Sequence, residues 1–378
     1  MSITTDTSLV YSRDEEDLRA TVREFLTATM PSSAILARIE TTEPYDNAAW
    51  STLAADIGAA GLPVDADNGG AGASWRETGV VAEEIGRAAA PLPYLGSAVL
   101  ATATLLALPE RQAATQVLTA LAGGQTRATL AVPLSASPTV GPQITVREQD
   151  SQLTGSVTSV ADLVGAELIL VAATDADREP GLYTVGPTDD GVVIEPGSSL
   201  DLTRPLCTLH LDGVDAVPLA HGVEVEVALQ HALTVAAAML ACEQVGIADY
   251  CLDTTLSYVK TRCQFGRQIG SYQAIKHRLA DIYLDLTHAR AAARYAAVCV
   301  ATGDPDSTIA VSLAKALCSR VAQHATEEAI QLHGGIGFTW EHPLHLYLKR
   351  AKADHLAMGT IDAHQARLAD VLGLGLAS

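Results

Sequence analysis

The residues best suited to chemistry lie in KTRCQFGRQIGSYQAIKHRLAD, residues 260–281. Five of the 24 Lys and Arg residues (Lys260, Arg262, Arg267, Lys276 and Arg278) fall there, in a protein of net charge −20. Arg presents a bidentate fork to phosphate oxygens, and an amide such as Gln273 can read a base edge. Phe265–Gly266 interrupts the helical pattern, so a turn would carry a cation beside an exposed aromatic. Such a turn suits a pyrophosphate joined to an aromatic base; a solvated junction between two helices would look the same. A second segment, AIQLHGGIGFTWEHPLHLYLKRA, ends a helix at Gly334–Gly335. Paired glycines there serve either as a C-cap or as a place where a ligand phosphate comes close. His333, His342 and His345 lack metal-site spacing, and no metal is expected.

The surrounding elements must position these residues. A chain of 378 residues can form two or three domains with cores of their own. Residues 1–124 are rich in Ala, Leu and Glu at helical spacing. Residues 125–222 carry short β-branched runs separated by Gly, Pro, Asp and Ser, which reads as an antiparallel sheet or small barrel. Residues 223–378 are helical again, and Ile275, Leu279, Ile282 and Leu286 form one apolar stripe. The fold class is therefore α+β in the order helices, sheet, helices.

The acidic charge and an aromatic content of 4% argue against a nucleic-acid partner. A hydrophobic content of 48% excludes a disordered chain. No run of about 18 uncharged apolar residues appears, so no membrane span is expected. The polar, acidic N-terminus does not read as a signal peptide. The six cysteines show no CxxC pair and read as buried thiols in a reducing compartment. A cytoplasmic location is expected.

Taken together, the two segments resemble the acyl-CoA dehydrogenase family. That family carries R-x-x-F-G, a Gln seven residues beyond that Gly, and Q-x-x-G-G-x-G ahead of E-x-P. This chain has Arg262, Phe265, Gly266 and Gln273, then Gln331, Gly334, Gly335, Gly337, Glu341 and Pro343. The N-terminal stretch WSTLAADIGAAGLPVDADNGGAGASWRETGVVAEEIGRAAAPLPYLGSA also looks like the family's helical opening. The resemblance implies a C-terminal four-helix bundle, FAD as cofactor, and α,β-desaturation of an acyl-CoA thioester in fatty-acid or steroid degradation. It implies electron-transfer flavoprotein as acceptor. It also implies that Arg262, Phe265, Gln273, Gln331, Gly334 and Gly335 touch the nucleotide end of a neighbouring subunit's FAD, with Thr360 kept from a further motif.

The departures are specific. The family's usual base is the Glu of Y-E-G-T-x-Q, and Met358 stands in its place before Gly359 and Thr360. A thioether cannot accept a proton near neutral pH. An alternative Glu position on the long preceding helix falls at about Ala236; Glu243 lies about 10 Å further along. Glu243 and Asp362 are weak substitutes, and no catalytic residue is assigned. The family's T-E-P-x-A-G-S and W-I-T motifs are absent from residues 128–137 and from LTGSVTSVADLVGAELILVAA. The flavin-ring cradle and the base are thus lost while the nucleotide grip is kept. This pattern suggests a non-catalytic subunit paired with a Glu-bearing one in a heterotetramer. The alternatives are a homo-oligomeric flavoenzyme with a displaced base and a non-enzymatic acyl-CoA-binding scaffold.

Overall fold

The computed structural model describes residues 9–109, 111–141 and 143–374. The first eight residues of the polar N-terminus lie outside this range. Six helices come first: α1 (Arg13–Thr29), α2 (Ser32–Arg38), α3 (Asn47–Ser51), α4 (Trp75–Ala88), α5 (Thr102–Leu106) and α6 (Gln112–Ala122). Ser12 and Ser74 start α1 and α4 with capping boxes, their hydroxyls paired against Glu15 and Glu77 three residues on.

Eight strands follow: β1 (Ala128–Leu130), β2 (Val146–Gln149), β3 (Gln152–Ala161), β4 (Leu168–Thr174), β5 (Pro180–Val185), β6 (Val192–Pro196), β7 (Leu206–Asp215) and β8 (Val217–His221). The sheet runs β6-β7-β3-β2-β4-β5-β8, with β1 also on β4. Most pairs are antiparallel as expected. The exceptions are β1 and β2, which both pair parallel to β4. Along β4, Ile169, Val171 and Ala173 enter the sheet's own core. Leu170 and Ala172 point the other way, into the helical core. Side chains alternate between faces of a strand, so a strand covered on both sides reads as a continuous apolar run.

The last part contains α7 (Val223–Thr261), a two-strand hairpin of β9 (Cys263–Gln264) and β10 (Arg267–Gln268), α8 (Gln273–Thr302), α9 (Ser307–His333), α10 (Leu344–Leu356) and α11 (Ile361–Val371). Three long helices pack together, and α10 and α11 pack on α9 to complete the helical bundle expected of this part. Leu279, Ile282 and Leu286 are buried, as their stripe predicts. The α7 helix is long and apolar enough to cross a membrane, yet 72% of its most apolar window is buried inside the fold. It crosses α4 closely: a Cβ on Gly246 would sit 1.8 Å from the Glu83 carbonyl oxygen. Only glycine permits that approach.

A buried ion cluster ties sheet to bundle. Arg204, from the β6–β7 connection, donates to Glu243 of α7 at 2.6 and 2.8 Å and to Asp354 of α10 at 2.6 Å. The Arg350 guanidinium lies 2.7 Å from Glu243. Lys315 of α9 donates to the Asp354 carbonyl at 2.8 Å. Removing one member strands a charge without water. Arg204→Met is therefore expected to cost about 3–5 kcal/mol in urea denaturation. Burial and the nearby Glu243 carboxylate raise the Asp354 carboxyl from 3.8 to about 7. The fold then holds a proton that the unfolded chain releases, so this group's contribution falls as pH rises from about 4 to about 7. Asp354→Asn should gain stability relative to wild type across that window and no further above it, as read from denaturation midpoints at each pH.

Candidate functional site

The α7 helix stops at Thr261, and the Arg262 N–H closes it by donating to the Tyr258 carbonyl at 2.9 Å. Phe265 and Gly266, with φ of 51° and 78°, form the two-residue turn between β9 and β10. Two successive positive φ values match the twist of a tight hairpin. The turn holds Phe265 out in solvent at 93% exposure. Arg262 is exposed and has no ion pair among the described residues. The Arg267 guanidinium lies 3.8 Å from the Tyr272 ring centroid. Arg278 is bound to Glu328 at 2.7 Å, so it is a tie between α8 and α9. Gln273 opens α8 and is exposed.

Gln331 lies exposed in the last turn of α9, which ends at Gly334 with φ 63°. No atom lies within 4 Å of where a Cβ on Gly334 or Gly335 would sit. Phe338 and Trp340 follow, 74% and 66% exposed. The Tyr258 ring stacks on His333 at 4.3 Å, which brings the two segments side by side. One edge of the bundle therefore presents Arg262, Phe265, Gln273, Gln331, Gly334 and Gly335. An open guanidinium, a flat ring, free amides and bare backbone on one surface can hold a phosphate chain and an adjoining base. His333, His342 and His345 make ring contacts here: His333 stacks on Tyr258, His342 tilts against His333, and His345 meets Trp340 edge-on. Their apolar settings lower all three pKa values.

Thr360 does not join this edge. Its hydroxyl caps α11 by accepting from the Ala363 N–H at 3.3 Å. The whole of α10, about 20 Å long, separates Thr360 from the glycine turn.

Met358, which stands where the resemblance expects a base, lies fully buried inside the fold. Its N–H donates to the Leu134 carbonyl at 2.8 Å, and the Leu134 N–H donates to the Ser159 carbonyl at 2.8 Å. The three segments that depart from the family pattern are thus bonded to one another. His364 Nε2 donates to the Met358 carbonyl at 2.8 Å. A Cβ on Gly359 would meet Ser137 Oγ at 2.5 Å. The substitute acids fare no better. Glu243 is clamped by Arg204 and Arg350, which with its hydrogen bonds hold its pKa down against burial. Asp362 is exposed on the first turn of α11. Ala236 is fully buried inside α7. Sequence reasoning missed Leu134 and Ser159 because backbone bonds carry no residue-type signal. It missed Arg204 because a single Arg in a loop has no telling spacing.

Residues 12–125 match the family described as acyl-CoA dehydrogenase, N-terminal domain, and residues 225–373 match the acyl-CoA dehydrogenase C-terminal domain. The acyl-CoA dehydrogenase IpdE2 of Mycobacterium tuberculosis is 35% identical over 338 residues, covering 89% of this chain and 91% of that protein. The chain belongs to the acyl-CoA dehydrogenase family. A solved structure described as the Tcur3481-Tcur3483 steroid ACAD G363A variant is 30% identical with a TM-score of 0.82, covering 97% of this chain and 99% of that one. The ChsE4-ChsE5 complex from Mycobacterium tuberculosis has the same fold at a TM-score of 0.85 and 24% identity, covering 98% of this chain and 100% of that one.

Five of the six cysteines are buried, but Cys263 is exposed in the hairpin, contrary to expectation. The β9 strand is too short and too peripheral to cover it. In the native isolated chain, a thiol reagent such as DTNB should titrate one cysteine quickly, and Cys263→Ser should abolish that fast phase.

Proposed function

We propose that this chain is the non-catalytic subunit of a heteromeric, FAD-dependent acyl-CoA dehydrogenase. In this reading it closes the nucleotide end of FAD on a Glu-bearing partner and does no proton abstraction itself. The observation that carries the reading is the contrast between its two halves. The base position is a fully buried Met358 bonded to Leu134. The edge holding Arg262, Phe265 and the Gly334–Gly335 turn is open.

The fit to FAD follows the same division. At the open edge, the Arg262 fork is free for a pyrophosphate, and bare backbone at Gly334 and Gly335 allows close approach. Phe265 and Gln273 would flank the base. At the closed end, the segments joined by the Leu134–Met358 and Leu134–Ser159 bonds lack the family's flavin-ring motifs. When bound, FAD supplies the hydride acceptor for desaturation. A proton acceptor must accompany it; Glu243 is paired with Arg204 and Arg350, and Asp362 is exposed on α11. Glu243 and Asp362 thus argue against a displaced base. The 30% identity to one chain of a steroid ACAD whose name joins two proteins, Tcur3481-Tcur3483, supports both the heteromeric assembly and a bulky acyl-CoA substrate. Electron-transfer flavoprotein is the acceptor this assignment implies.

The isolated chain should be colourless. Recovered from its host with its partner, it should give a yellow complex holding about half the FAD of a homotetramer with four sites, read from flavin absorbance per chain. Cys263 should lose its fast reaction with DTNB in that complex. Full flavin occupancy and turnover by the chain alone would overturn the proposal.

A further inference from the structure

We infer that Tyr258 and His333 are positioning residues: they lock the two halves of the nucleotide grip into one surface. The inference rests on the reading of that edge as a grip on a partner's FAD. The halves grow from the ends of different helices. Arg262 and Phe265 follow α7, while Gln331, Gly334 and Gly335 end α9. A ligand contacting both halves needs their spacing set before it arrives.

Tyr258 sets it in two ways. Its ring stacks on His333 with centroids 4.3 Å apart and planes 20° apart. Its hydroxyl donates to the His333 carbonyl at 3.3 Å. That carbonyl belongs to the peptide joining His333 to Gly334, so the plane from which the glycine backbone leaves is pinned. At the other end, the Tyr258 carbonyl accepts from the Arg262 N–H. One residue therefore holds the start of both halves. His333 is made rigid for this contact. It is 3% exposed, its Nδ1 lies 2.7 Å from the Ala329 carbonyl as donor, and His342 packs on it at 4.8 Å. Burial keeps the imidazole neutral, which suits a stacked ring. Core filling alone would not require a hydroxyl aimed at the one carbonyl before the glycines.

The test uses the complex with its partner, stripped of FAD and titrated with FAD by flavin fluorescence, with the complex's thermal midpoint recorded. Tyr258→Met fills the volume with neither ring nor hydroxyl and should weaken FAD binding about tenfold, while Tyr258→Phe keeps the stack but loses the hydroxyl and should weaken it about threefold. The thermal midpoints of apo complexes should be alike. Arg262→Ala is the control for the underlying reading and should also weaken FAD. If Arg262→Ala weakens FAD but Tyr258→Met does not, the positioning role is wrong and the reading survives. If neither matters, the reading fails and takes the inference with it. Should Tyr258→Met not assemble, His342→Leu loosens the stack from its partly exposed side, and unchanged FAD affinity there would overturn the role.

Discussion

Everything in this fold depends on keeping the charges buried at the junction of sheet and bundle paired. Arg204, Glu243, Arg350 and Asp354 come from a sheet connection and two helices, and Lys315 joins from a third. A charge removed from water is tolerable only with partners at close range. The positions of α7, α9 and α10 relative to the sheet are therefore set together. The same cluster takes Glu243, whose carboxylate is held by Arg204 and Arg350.

The remaining site splits along a line between a sealed interior and an open edge. The interior is sealed by backbone: Ser159, Leu134 and Met358 are joined in sequence by N–H to carbonyl bonds. The edge is left open by geometry, since a tight hairpin and a helix ending in glycines project side chains and bare backbone outward. A folded surface that exposes Phe265, Phe338 and Trp340 together is more typical of an interface than of a free monomer.

Much of this was legible in the residues. The Phe265–Gly266 break ends α7 where the helical pattern fails, and Leu279, Ile282 and Leu286 are buried as their spacing demands. The two segments singled out by spacing meet through Tyr258 and His333, while Thr360 lies apart as the N-cap of α11. Other features were not legible. Parallel pairing of β1 and β2 with β4 depends on contacts far apart in the chain, and short β-branched runs look alike in either direction. Cys263 was read as buried with the other cysteines because a free thiol is usually buried, although Arg262 and Gln264 beside it are polar. The Tyr258–His333 stack joins positions 75 residues apart, which no local periodicity reports.

The cramped turn at Gly359 limits how this part of the chain can vary. Its flank against Ser137 leaves no space even for a methyl group, and the residue before it is held by Leu134. A change at residue 358 or 359 is therefore felt at Leu134 and Ser137 as well, and turn and loop are constrained to vary together.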